Sequence, residues 1–122
     1  SPRWELEAKR RTGRTFSVPA KLYDRMYAHQ REGVRWLWKL HQGEMGGILG
    51  DDMGLGKTFQ ASTKTAAWLV TCFLTGIFST DQAKCALVVA PKGVMLTWEA
   101  ELKQWLVKAA CRTAEVRSLC WG

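Results

Sequence analysis

The stretch GGILGDDMGLGKTFQ, Gly46 to Gln60, constrains the fold more than any other part of the chain. A short apolar run opens onto a glycine-rich turn, and the turn leads through a lysine and a hydroxyl into a segment with helical spacing. A strand, a tight turn and a helix N-terminus in that order make a phosphate-binding loop. Glycines let consecutive backbone N–H groups curl around a β-phosphate, a lysine neutralises the β and γ oxygens, and a hydroxyl holds Mg²⁺. Gly54, Gly56, Lys57 and Thr58 supply these groups. The helix N-terminus adds about half a positive charge toward the anion. Where the general pattern G-x-x-x-x-G-K-[ST] has its first glycine, this chain has Asp51, and Asp51 and Asp52 put two negative charges beside the site.

Around this loop the periodicity predicts alternating helices and strands. Asp24 caps a predicted helix running to Gln42, with Tyr27, Val34, Leu37, Trp38 and His41 at helical spacing and Trp36 and Leu40 widening the stripe. GGIL reads as a short buried strand. A helix from Lys57 follows through Ala61, Thr65, Trp68, Leu69 and Cys72 to a stop at Gly76. CALVVA, Cys85 to Ala90, has the β-branched content of a buried parallel strand, ended by Pro91. Val94, Trp98, Leu102 and Trp105 predict a third amphipathic helix, which assigns Trp98 and Trp105 to packing rather than base stacking, and EVRSLCW reads as a third strand. This order implies an α/β fold with a parallel sheet, right-handed crossovers and flanking helices.

At 122 residues, 47% hydrophobic and 24% charged, the chain has the size and composition of one soluble globular domain. Seven tryptophans are a heavy aromatic load for that size, and some are expected to face a part of the protein outside these residues. A net charge of +7 suits a polyanionic partner or an anionic nucleotide. Residues 1–17 carry Arg3, Lys9, Arg10, Arg11 and Arg14 against Glu5 and Glu7 and read as a basic extension ahead of a folded part spanning 18–122; the KRR within it could serve as a nuclear address, although short basic clusters of this kind are common by chance. Cys72, Cys85, Cys111 and Cys120 form no CxxC pair, which points to reduced thiols inside the cell, and His29 and His41 have no metal-ligand spacing. The longest apolar stretch, AAWLVTCFLTGIF, is 13 residues, short of a membrane span, and the charged N-terminus is unlike a signal peptide.

The loop GDDMGLGKTFQ closely resembles motif I of the Snf2-type ATPases, a branch of the superfamily 2 helicase-like motors, where an acidic pair before MGLGKT is the normal form. LYDRMYAHQREGVRWLWKLHQ resembles the segment preceding motif I, and LVVAPKGVMLTWEAELKQW resembles motif Ia and its helix. VRWLWKLH followed by GGILGDDMGLGKT is most similar to the Cockayne syndrome group B type, with YAHQ in place of the common RPYQ and PKG in place of small or hydroxyl residues in motif Ia.

The resemblance implies the N-terminal part of a RecA-like P-loop NTPase lobe that uses ATP and Mg²⁺. It implies Lys57 as the catalytic group and nucleotide binding by Gln30, Asp52, Met53, Gly54, Leu55, Gly56, Lys57 and Thr58, with Thr58 on the metal. Gln30 carries an acceptor and donors, which pair with an adenine edge. Lys92 and Gly93 are implied to face a DNA phosphate, and double-stranded DNA or chromatin is the implied partner, in the nucleus. The family's hydrolytic acids, in a DEGH or DEAH sequence, are not found: after Pro91 the acids are Glu99, Glu101 and Glu115. The second motor lobe and its arginine fingers are a further implied partner. The expectation is therefore a nucleotide-binding piece of a DNA-stimulated ATPase that does not hydrolyse ATP by itself. The competing reading is a non-catalytic basic module binding DNA or protein through residues 1–17 with Lys92, Lys103 and Lys108.

Overall fold

The computed structural model describes residues 3–7, 15–48, 59–80, 82–106 and 116–118. In chain order these form β1 (Arg3–Leu6), β2 (Phe16–Pro19), α1 (Ala20–Arg25), α2 (Ala28–Gln42), α3 (Phe59–Ser79) and α4 (Met95–Glu101). A 3-10 turn, Lys92–Val94, leads into α4, and a π turn, Leu102–Leu106, continues it.

β1 and β2 pair antiparallel, with Trp4 opposite Val18 and Leu6 opposite Phe16. Residues two apart on a strand share a face, so these four apolar side chains lie together. Phe16 and Val18 are fully buried and join Leu22, Met26, Val34, Trp38, Leu69, Cys72 and Ile77 in one core. Phe16 sits at its centre, edge-on to Trp4 at 6.3 Å and against Trp38 at 5.2 Å and Phe73 at 5.9 Å. Residues 3–6, within the stretch read as an extension, are thus a strand docked on the core. The Trp38 indole Nε1 donates to the Glu7 carbonyl at 3.1 Å and fastens the strand's end to α2.

The helix expected from Asp24 is two helices. Met26 and Tyr27 have extended dihedrals (φ −86°, ψ 138° and φ −72°, ψ 161°), so α2 starts at Ala28 and Asp24 lies in α1. The break is held by Arg31, whose Nε and Nη2 donate to the Tyr23 carbonyl at 3.2 and 2.9 Å while its guanidinium stacks on the Tyr23 ring. The same carbonyl accepts the Met26 backbone N–H at 3.1 Å, so it gathers three donors at the end of α1. On α2 the buried positions are Gln30, Val34 and Trp38, one turn apart, whereas Tyr27 and His41 of the expected stripe are exposed.

α3 does not stop at Gly76 but continues to Ser79, because Gly76 is where the Phe16 ring crosses the helix. The stop lies at Thr80, whose hydroxyl donates to the Gly76 carbonyl at 2.6 Å, while the Ser79 hydroxyl donates to the Ser17 carbonyl at 3.3 Å. At Gly33 the α2 backbone comes within contact of the Leu69 side chain, which sets the close approach of α2 to α3. The third expected helix is present as α4 and its π turn, where Trp105 packs edge-on to Trp68 at 5.0 Å and carries Arg25 over its ring at 4.7 Å. All six described tryptophans are buried or half-buried within the molecule.

The expected parallel sheet is not the sheet observed. Among the described residues the sheet is the antiparallel β1–β2 pair, and 45–48, 82–91 and 116–118 have no regular secondary structure. Ile48 is 94% exposed, and Leu87 and Val89 are each 87% exposed. A parallel strand is held by hydrogen-bonded neighbours and covered by helices on both faces. No described segment pairs with these residues, so their side chains stand in water.

Candidate nucleotide site

The glycine-rich turn is bracketed by two described elements. Ahead of it, residues 43–48 fold back on α2, and Gly47 lies so close to Leu40 Cδ1 and Trp36 Cζ2 that a Cβ there would come within 2.8 Å of each. Trp36 and Leu40 are the second face of the expected stripe, and they guide the chain from α2 toward the turn. Behind it stands α3, fixed to α2 through Gly33 and Leu69. Asp51, Asp52, Met53, Gly54, Leu55, Gly56, Lys57 and Thr58 lie outside the described residues; Gln60 falls within α3.

Gln30 is buried at the start of α2, 4% exposed. Its Oε1 accepts the Tyr27 backbone N–H at 2.9 Å, and its own backbone N–H donates to the Tyr27 carbonyl at 3.0 Å. This reciprocal pair satisfies N–H groups that a helix start otherwise leaves open. A glutamine carbonyl has two lone pairs and the amide two donors. The cap uses one lone pair and holds the amide plane in one orientation.

Next to Gln30 lies a feature the sequence reading assigned elsewhere. Tyr27, expected in the core stripe, is 72% exposed and its ring stacks on His29 at 5.8 Å with 10° between planes. No signal in the sequence marks it, because the capping-box signature has Ser, Thr, Asp or Asn at the N-cap and this chain has tyrosine there.

Lys92 and Gly93 are exposed in the 3-10 turn ahead of α4, and a Cβ on Gly93 would meet open space. Of the acids expected to be without a hydrolytic role, Glu99 pairs with Lys103 and accepts the Ser118 hydroxyl at 3.0 Å, which together hold its carboxyl below the usual range. Glu101 is buried among helices. Among the described residues no group of three His, Cys, Asp or Glu side chains is placed to hold a metal ion. No helix among them is long and apolar enough to cross a membrane.

Residues 29–118 match the model of the SNF2-related domain. The chain belongs to that family. The SNF2-related match runs from the residue before Gln30, through the glycine-rich turn, to Ser118, and so takes in α2 from its second residue, α3 and α4. It is 47% identical over 91 residues to the SNF2 domain-containing protein ENL1 of rice, covering 75% of this chain and 8% of that protein. Over 88 residues it is 48% identical to Protein CHROMATIN REMODELING 24 of Arabidopsis thaliana, covering 72% and 7%. It is 37% identical over 91 residues to the DNA excision repair protein CSB of rice, covering 75% and 7%, which agrees with the Cockayne syndrome group B resemblance. The SNF2-related chain thus spans less than a tenth of the length of each of these three relatives.

Proposed function

We propose that this chain is the nucleotide-binding part of the first RecA-like lobe of a Snf2-type, DNA-stimulated ATPase that moves on duplex DNA or chromatin in the nucleus. The observation that carries the reading is the family match, which spans residues 29–118 and with them the sequence GDDMGLGKT. The donor set fits ATP with Mg²⁺: the backbone N–H groups around Gly54 and Gly56, the Lys57 ammonium and the Thr58 hydroxyl are what a polyphosphate and its metal require. ATP and Mg²⁺ supply the cleavable phosphoanhydride and its charge neutralisation. In this reading Asp52, Met53 and Leu55 shape the same loop.

Gln30 reads the adenine edge with its amide, already oriented by the Tyr27 cap, and the Tyr27–His29 stack offers a flat aromatic surface beside it. In this reading the GGIL and CALVVA segments become strands of the parallel sheet when their neighbours from the rest of the lobe are present, and Lys92 and Gly93 then face the DNA backbone. The acid that positions the attacking water and the second lobe's arginines lie outside these 122 residues, so they bind nucleotide without turning it over.

Calorimetric titration with Mg-ADP and Mg-ATP, with Lys57→Ala in parallel and circular dichroism on both, tests the reading. Binding that disappears with Lys57 is expected. Binding that survives Lys57→Ala, or a folded chain that binds neither nucleotide, overturns it.

A further inference from the structure

We propose that the groove between the end of β1 and the C-terminal half of α2 is a docking site for an acidic peptide segment of a partner protein, which inserts one bulky apolar side chain. The cavity there measures about 530 Å³ and is open on one side. Trp38, Leu6 and Met45 supply its apolar lining, with Gln42 and Gly43 beside them. The indole N–H of Trp38 is already given to the Glu7 carbonyl, so the floor asks for no polar partner.

Arg35 and Lys39, one turn apart and both exposed, line the same groove. Neither makes an ion pair among the described residues. The Arg35 guanidinium rests over the Trp4 ring at 5.3 Å, so it is held in place before any ligand arrives. Against these two cations the lining carries one carboxylate, Glu7, which leaves the rim positive, as does the chain's net charge of +7. An apolar floor under a cationic rim matches a ligand that is apolar at one point and anionic around it. Duplex DNA supplies the anions but keeps its apolar surface stacked inside. An acidic peptide with a Leu or Phe anchor supplies both, and the open side lets its backbone pass over the groove. None of the nucleotide-site residues takes part, so this site and the nucleotide reading stand or fall separately.

The test is fluorescence polarisation of a labelled peptide, Asp-Glu-Asp-Leu-Phe-Asp-Glu, titrated with the whole 122-residue chain at about 0.1 M salt. Two surface variants accompany it: Arg35→Glu with Lys39→Glu, and Met45→Asp. Circular dichroism establishes that both stay folded. Saturable binding is expected, weakened about tenfold or more by either variant and by replacing Leu-Phe with Ser-Ser in the peptide. Absence of binding overturns the proposal, as does binding that ignores the Leu-Phe anchor or Met45→Asp. A short DNA duplex that displaces the peptide and depends on Arg35 and Lys39 but not on Met45 would reassign the rim to nucleic acid.

Discussion

The ring of Phe16 in β2 lies directly against the backbone of Gly76 in α3, so that a Cβ at position 76 would overlap the Cε2 and Cζ atoms of the ring. Both residues are buried, and Phe16 is boxed in by Trp4, Trp38 and Phe73. Within a helix, alanine is ordinarily favoured over glycine by about 1 kcal/mol. Here overpacking outweighs that preference, since the ring has no open side to move into. Gly76→Ala is expected to lower stability by about 1–3 kcal/mol in urea unfolding. A variant as stable as the natural chain would mean that β2 does not sit on α3 as described.

Gln30 separates a structural duty from a recognition duty. Alanine at this position removes the acceptor for the Tyr27 N–H, and the loss expected is about 0.5–2 kcal/mol, the range for a missing helix cap. Glutamate keeps an acceptor in the same place and is the commoner capping-box partner, yet it has no amide donors. Gln30→Glu is therefore expected to fold with near-natural stability while losing preference for ATP over GTP in competition titrations. If it keeps that preference, the adenine role belongs elsewhere.

How much was legible in the sequence divides along physical lines. Helices α2, α3 and α4 with its π turn show in the spacing of Val34, Trp38, Leu69, Cys72, Trp98 and Trp105, because a helix hydrogen-bonds within itself and needs only one covered face. The break at Tyr27 does not show in that spacing, because it depends on Arg31 reaching back eight residues to the Tyr23 carbonyl. β1 was hidden by its charges: counting Arg3, Glu5 and Glu7 obscured the alternation that puts Trp4 and Leu6 on one face. Gly76 looked like a stop because glycine commonly ends helices, whereas its job here is to admit a ring. For the site, the order of residues around GDDMGLGKT was enough to find the family, since that chemistry is local. What the sequence could not convey was that Gln30 is built into a cap and that Tyr27 stands outside the core.

The cysteines should differ sharply in reactivity. Burial, with a smaller contribution from the nearby Glu101 carboxylate, pushes the Cys72 thiol up to about 12, whereas Cys85 is exposed. The thiolate is the reactive form. In iodoacetamide labelling near neutral pH, peptide mapping should find Cys85 modified in the native chain and Cys72 only after denaturation. The sign of the pH dependence follows from a folded value raised above the unfolded 9.0: this contribution to stability is complete below pH 9 and is lost as pH rises from about 9 toward 12. Rapid native labelling of Cys72 would contradict its place in the core.

Leu87 and Val89 make a prediction about the sheet. In a strand buried on both faces, replacing two such residues with lysine would leave charges without water and unfold the domain. Here both side chains are 87% exposed and no described segment pairs with them. The double change Leu87→Lys with Val89→Lys is expected to shift the stability of this chain by no more than about 0.5 kcal/mol while improving its solubility, since it removes exposed apolar surface. Placed in a longer protein that supplies the neighbouring strands, the same change should be severely destabilising if, as the proposed function has it, CALVVA then occupies the interior of a parallel sheet. Comparing the two unfolding curves decides the point. A large loss already in the 122-residue chain would show that residues 85–90 are buried in it, and an absence of effect in the longer protein would remove CALVVA from the sheet altogether.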